Sequence, residues 1–260
     1  MITVVIPAKN EAGRIATVIQ NVSLLPVDHI IVVINGATDK TLRDVLELPA
    51  KKVQILYFHE ELGIDVPRAV GAKLACSLGS DTVLFVDGDM VGTFNENLLE
   101  LIEGITIKHL DMALTNCYPS PPRHIERYNP TFQWRYNLAK ELGFEKKLGL
   151  ATPAHGPHAL SRRFLETVPL AELAIPPVSL ALGRLAKLKI DIAATIPHYR
   201  LGSCVKNCIH SQLIIDTIVG DCLEAIAAFH GKERNRLWQN KTYLGYHPGR
   251  RFDVLKKFLD

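Results

Sequence analysis

The triplet Asp87-Gly88-Asp89 follows directly on the apolar run Thr82–Val86. Two carboxylates one residue apart at the end of a buried strand can hold a hard divalent ion. Mg²⁺ and Mn²⁺ take such oxygen ligands and complete their shell with phosphate and water. Gly88 lets the backbone approach a ligand closely. Asp-Gly is also a common turn pair, and on its own the triplet reads as a turn. No Lys or Arg flanks the two carboxylates in the sequence, which shifts the reading toward metal. Two more polar clusters sit at comparable places: Pro7-Ala8-Lys9-Asn10-Glu11 after the run Ile2–Ile6, and Asn35-Gly36-Ala37-Thr38-Asp39 after Ile30–Ile34. No G-x-G-x-x-G follows the first run, and no G-x-x-x-x-G-K-S/T occurs anywhere. That argues against a dehydrogenase and a P-loop enzyme, and leaves the phosphates of any nucleotide to be neutralised mainly by a metal.

These clusters need a scaffold that brings them together. Short runs rich in β-branched residues at Ile2–Ile6, Ile30–Ile34, Val53–Phe58 and Thr82–Val86 read as buried strands. Amphipathic stretches from Asn10 to Val22, Thr38 to Leu48 and Asp65 to Leu78 read as the helices between them. That order predicts an α/β fold with a mostly parallel central sheet flanked by helices. Ligands then bind beyond the carboxyl ends of the strands, where all three clusters lie. Further on, helices are expected at Asn95–Ile107, near Trp134–Leu142, at Pro176–Leu188 and at Gln212–Phe229. Strands are expected at Met112–Thr115 and Ile190–Ile196, and 151–164 reads as loop, short strand and helix start.

The chain has 260 residues, 47% hydrophobic and 22% charged. That is a globular composition, and its length favours one large domain. No apolar run approaches the roughly 18 residues of a membrane span. The opening MITVVIPAKNE has no basic n-region and no cleavage site, so no secretory signal is expected. Five Cys without framework spacing suggest reduced thiols and a cytoplasmic protein. Cys204, Cys208 and His210 have loose metal spacing but no fourth ligand, and read as structural. Net charge is +3, but residues 232–260 alone hold eight Lys/Arg and three Asp/Glu. This basic, aromatic tail reads either as a solvated helical face that packs its aromatics on the domain or as a surface for phosphate, anionic lipid or nucleic acid.

The segments VVIPAKNEAGRIATVIQNV, IIVVINGATDKT, GIDVPRAVGAKLA and TVLFVDGDM, in that order, resemble the successive signatures of family 2 glycosyltransferases. The resemblance covers about residues 2–92 well and continues loosely through HGPHALSRR to about residue 200. It implies the GT-A fold and transfer from a nucleotide-diphosphate sugar, a UDP- or GDP-sugar, with Mn²⁺ or Mg²⁺. Residues 1–92 would form the nucleotide-sugar half and 93–205 the acceptor side, with 206–260 a basic helical extension packed on them. By this resemblance Pro7, Ala8, Asn10 and Glu11 line the nucleoside. Asn35 stands where the family usually has Asp, and Arg68 faces nucleotide or phosphate. Asp89 is the direct metal ligand, and Asp87 with Gly88 meets ribose or metal-bound water. A looser resemblance to the glucosyl-3-phosphoglycerate synthases adds His198 as a metal ligand, with His210 as the fallback.

Acceptor binding is expected at Gly156, Pro157, His158, Arg162 and Arg163, with Arg123, His124 and Arg127 in the preceding loop. Where inverting members of the family carry a catalytic Glu-Asp pair, this chain reads Pro176-Pro177. Proline cannot take a proton, so a retaining route is expected, with Glu172 the rival displaced base. The partners expected are the nucleotide sugar and an unidentified acceptor, phosphorylated or lipid-linked, and not nucleic acid. The basic tail leaves room for peripheral membrane contact, and homo-oligomer formation is also open. The competing readings are a nucleotidyltransferase and a nucleotide-sugar-binding protein without transferase activity.

Overall fold

The computed structural model describes residues 1–49, 51–120, 129–203 and 207–260. Strands β1 (Ile2–Ala8), β2 (His29–Asn35), β3 (Val53–Phe58) and β4 (Thr82–Phe85) alternate with helices α1 (Ile15–Ser23), α2 (Thr41–Leu46) and α3 (Val66–Ser77). Then follow α4 (Asn95–Thr106), β5 (Met112–Asn116), α5 (Pro130–Glu141), β6 (His158–Ser161), α6 (Arg162–Thr167), α7 (Pro176–Leu185), β7 (Ile190–Thr195) and α8 (Cys208–Phe229). One seven-stranded sheet runs in the order β3-β2-β1-β4-β6-β5-β7. Only β6 is antiparallel to its neighbours, β4 and β5.

The inner strands are buried on both faces, the edge strands β3 and β7 only partly, and the two-residue period divides the apolar side chains between two layers. Val5, Ile31, Val33, Val83, Phe85 and Leu114 face α3, α5, α7 and α8. Val4, Ile6, Ile30, Val32, Ile34 and Leu84 face α1, α2 and α4. α1 presents Ile15, Val18, Ile19 and Val22 to that second layer, at helical spacing. No helix among the described residues is long and apolar enough to cross a membrane.

The helix expected from Asn10 begins only at Ile15. Asn10 has φ 57°, and its side-chain oxygen accepts from Thr38 N at 2.8 Å. The N–H groups of Glu11, Ala12 and Gly13 donate to Thr41, Asp39 and Asp44 at the start of α2. These bonds keep residues 10–13 out of the helix and fix them as a loop at the sheet's carboxyl edge.

The C-terminal segment differs most from expectation. It forms a small hairpin of β8 (Leu237–Trp238) and β9 (Lys241–Thr242), then a short helix α9 (Phe252–Leu259). Gln239 and Asn240 turn the hairpin with φ 48° and 63°, the left-handed pair of a type I′ turn. Val219, Cys222, Ala225 and Leu255 join the same apolar layer as Val5 and Phe85. The basic tail is a solvated face only in part: Lys256 and Lys257 are exposed on α9, whereas Arg236 and Arg250 are 5% and 4% exposed. Arg236 pairs with Asp221 and Glu224, and Arg250 with Asp221 and Asp65. Arg234 meets Glu172 and Glu224, and Arg251 meets Glu60 and Asp253. Carboxylates, Asp253 of the tail among them, take up these four charges, and Lys232, Lys256 and Lys257 remain exposed.

Candidate active site

The carboxyl ends of β1, β2 and β4 open into a single cleft of about 710 Å³. Its walls include Pro7, Ala8, Asn10, Glu11, Asn35, Arg68, Asp87, Gly88 and Asp89. The three polar clusters thus meet in one place, because every strand but β6 points its carboxyl end the same way. Gly88 N donates to Pro7 O at 3.0 Å, and a Cβ on Gly88 would press within 3.1–3.2 Å of Ala8, Pro7 and Ile15. The turn after β4 is therefore seated against the end of β1.

His198 reaches the same cleft from the short 3₁₀ turn His198–Arg200 after β7. A close backbone approach brings it there. Gly92 N donates to Leu201 O at 3.0 Å, and a Cβ on Gly92 would collide with the Arg200 carbonyl. His198 N also donates to Cys117 O at 3.0 Å. Its ring lies 5.0 Å from that of His155 and 5.8 Å from that of Tyr118. His210, in the first turn of α8, also lines the cleft, and its Nδ1 lies 2.7 Å from the Tyr246 hydroxyl.

Arg68, buried and distant in sequence, places Nη2 2.5 Å from Asp87 Oδ1 and Nη1 on Asp65. The expectation that no cation neutralises the pair therefore fails for Asp87, and Arg68 spends both Nη groups on carboxylates. Among the described residues no three or more His, Cys, Asp or Glu side chains gather into a metal cage. The donor set, two carboxylates with His198 at the same cleft, instead fits an ion that takes part of its shell from diphosphate and water.

Asn35 is also committed to protein contacts. Its Oδ1 accepts from Leu62 N at 2.6 Å and its Nδ2 donates to Gly63 O at 3.1 Å. An Asp there could not make the second bond, which gives the Asn a structural reason. Other carboxylates in the cleft face cations: Glu11 is 2.5 Å from Arg14 and Glu61 is 2.5 Å from Lys9.

On the acceptor side the expected residues are separated by the direction of β6. Ser161 is paired with Thr82 and His158 with Phe85, so β6 starts at the cleft and runs away from it. Gly156 lines the cleft. Pro157 lies outside the lining and accepts from Thr115 Oγ1 through its carbonyl. His158 lies beneath the site, stacked on Phe85 at 4.9 Å. Burial pushes its pKa down to about 3, with the charge of Arg68 adding to the effect. Arg162 and Arg163 come out at the opposite end of the sheet, where they pair with Glu166 and Asp111. They take no part in this cleft. Glu172 is likewise outside it, held by Arg234 through both oxygens at 2.9 Å. Arg123, His124, Arg127 and Cys204 lie outside the described residues.

Two cleft residues were not anticipated from the sequence. Arg135 of α5 is 3% exposed, has no carboxylate partner among the described residues, and leaves Nε without a hydrogen bond. His155 leaves a buried Nε2 without a partner. Burial, then the charges of Arg135 and His198, hold its pKa well below 6.5, so the ring is neutral. The available signal for Arg135 was an Arg in the buried i, i+3 stripe Phe132-Arg135-Leu138.

A family model described as Glycosyl transferase family 2 matches residues 3–168. Among solved structures, glucosyl-3-phosphoglycerate synthase from Mycobacterium tuberculosis with Mn²⁺, uridine diphosphate and glucosyl-3-phosphoglycerate is similar at 19% identity and TM-score 0.65. That match covers 91% of this chain and 82% of that one. The same synthase with Mn²⁺, uridine-diphosphate-glucose and phosphoglyceric acid is similar at 21% identity and TM-score 0.59, over 85% of this chain and 79% of that one. With Mg²⁺ and uridine diphosphate it is similar at 19% identity and TM-score 0.63, over 91% and 82%. A search among curated proteins finds no match.

Proposed function

The chain belongs to glycosyl transferase family 2 and has the GT-A fold, and from that membership we propose that it transfers a sugar from a nucleoside diphosphate sugar to a hydroxyl on a small anionic acceptor, with divalent metal and with retention of configuration. The observation that carries the acceptor class is Arg135. A buried guanidinium with no carboxylate partner among the described residues is costly unless an anion meets it. It shares the cleft with the carboxylates that suit a metal-bound diphosphate. Phosphoglyceric acid in similar folds is an acceptor of this class.

The nucleoside would lie against Pro7, Asn10 and the 61–63 backbone. Asp89, with His198 and Asp87 beside it, would hold a divalent ion whose charge offsets the diphosphate. Arg135 and neutral His155 would orient the acceptor, with His155 Nε2 available to the substrate. The sugar's bond to the diphosphate oxygen breaks, and the acceptor oxygen bonds to the same carbon from the same face. The acceptor's proton passes to the departing phosphate oxygen. Support for this route comes from the cleft carboxylates: Glu11, Asp65, Asp87 and Asp221 each face an Arg, and Glu61 faces Lys9. Carboxylates held on cations in this way are committed to those partners, where an inverting route needs one open to the acceptor hydroxyl.

The test is a panel of UDP- and GDP-sugars with Mn²⁺ or Mg²⁺ and phosphorylated or carboxylated hydroxy-acids, 3-phosphoglycerate among them. Nucleotide release and product mass report transfer, and proton NMR reports the anomer. Transfer only to neutral acceptors would overturn the acceptor class, and an inverted product would overturn retention. Donor binding without turnover on any acceptor would leave a binding protein.

A further inference from the structure

The donor side of the cleft is closed by a loop, residues 60–65, that lies between the end of β2 and the chain's C-terminal segment. Asn35 holds it from one side through Leu62 N and Gly63 O. From the other side, Arg251 N donates to Leu62 O at 2.8 Å and Arg250 Nε donates to Ile64 O at 3.3 Å. The approach is close enough to exclude a side chain: a Cβ on Gly63 would sit 2.7 Å from the Arg250 Cα. Gly63 also has φ 87°, open to glycine and strained for other residues.

The contact continues into the site through charge. Arg250, with a side chain fully buried, places Nη2 3.1 Å from Asp65 Oδ2 and anchors itself on Asp221 at 2.7 Å. Asp65, at φ 62°, binds Arg68, and Arg68 binds Asp87 at 2.5 Å. A row of alternating charges therefore runs from Asp221 through Arg250, Asp65 and Arg68 to Asp87. Asp221 and Arg250 both lie beyond residue 168, where the family match ends.

We propose that Arg250 is a positioning residue of the donor site: the 249–251 segment clamps loop 60–65, and Arg250, through Asp65 and Arg68, sets the orientation of Asp87 at the metal-diphosphate wall. A buried pair broken from one side leaves an uncompensated charge, so loss of Arg250 frees Asp65 to draw Arg68 off Asp87. The proposal rests on the donor reading given above, and its test separates the two.

Arg250→Gln, Arg250→Lys and Arg236→Gln are compared with wild type. Arg236 serves as the control, since it is as buried as Arg250 and shares Asp221 but does not touch Asp65. Two readouts are used: hydrogen exchange of the 60–65 amides without ligand, and UDP affinity with and without Mn²⁺. Arg250→Gln should speed exchange in 60–65 at least tenfold and weaken Mn²⁺-dependent UDP binding about tenfold. Arg250→Lys should recover part of both, and acceptor KM should stay within twofold. Arg236→Gln should lower the melting temperature while leaving 60–65 exchange near wild type. Equal exchange in 60–65 for Arg250→Gln and Arg236→Gln would overturn the clamp. So would a donor affinity unchanged in Arg250→Gln when wild type binds UDP. If wild type binds no UDP, the donor reading fails and the exchange comparison alone decides the clamp. If Arg250→Gln does not fold, Arg250→Lys against Arg236→Gln is the deciding pair.

Discussion

Acidification should expose how tightly the floor of the cleft is packed, because His158 lies directly under it. The ring is 4% exposed, stacked on Phe85, and leaves Nδ1 without a hydrogen bond. Burial lowers its pKa to about 3, and the Arg68 charge adds to the shift against a weak bond at Gly156. In the unfolded chain the same imidazole titrates at about 6.5. The unfolded state therefore binds the proton first. The stabilising contribution is complete above about pH 6.5 and is lost as pH falls from there toward about 3. At pH 5 the unfolded His158 is protonated and the native one is not. The penalty is about 1.5 units at about 1.36 kcal/mol each, or about 2 kcal/mol. Urea unfolding of wild type and His158→Gln at pH 7 and pH 5 measures it. His155 and His247, whose pKa values are also lowered, contribute alike to both proteins and cancel. Wild type should lose about 2 kcal/mol more than the variant between the two pH values, whatever the variant costs at pH 7. Equal losses would refute the reasoning and mean that water or a rotated ring satisfies His158.

Asp89→Ala should abolish Mn²⁺-dependent UDP binding by calorimetry while the melting temperature holds, and Asp87→Ala should bind more weakly than wild type and turn over poorly. Arg135→Gln should raise the KM of an anionic acceptor by about 10- to 100-fold, the range of a lost charge-assisted hydrogen bond, with UDP affinity unchanged. Gly92→Ala should destabilise the fold by about 1–3 kcal/mol, read by chemical unfolding, because its methyl meets the Arg200 carbonyl.

The first half of the fold was legible because β1, β2 and β4 are buried on both sides and all four strands are bounded by polar turns. Val53–Phe58 appears in the structure with the bounds its apolar run suggests. The gathering of Asn10, Asn35 and Asp87 followed from strand direction alone. Direction is also where sequence reading stopped. The four residues of β6 carry no local mark that they run against β4, so Arg162 and Arg163 read as neighbours of the site although they lie at the opposite end of the sheet. Charge counts misled in a similar way. The tail's excess of eight Lys/Arg over three Asp/Glu is offset in part by Asp65, Asp221 and Glu224, which only the folded chain brings near. The neutralisation of Asp87 by Arg68, 19 residues away, was hidden for the same reason.

The bond between Arg250 and Asp65 spans 185 residues. A chain made from its N-terminus emerges at about 5–20 residues per second, so loop 60–65 waits roughly ten to forty seconds for the segment that holds it. During that interval β1 to β4 can pair and bury their apolar faces, since those contacts are near in sequence. The Gly63 turn and the Asp65 carboxylate have only Asn35 and Arg68 to restrain them. A ribosome-bound fragment should thus acquire its sheet well before it acquires its grip on nucleotide. Under the proposed clamp, competence to bind donor would become a late event in biosynthesis, timed by when the 249–251 segment leaves the exit tunnel.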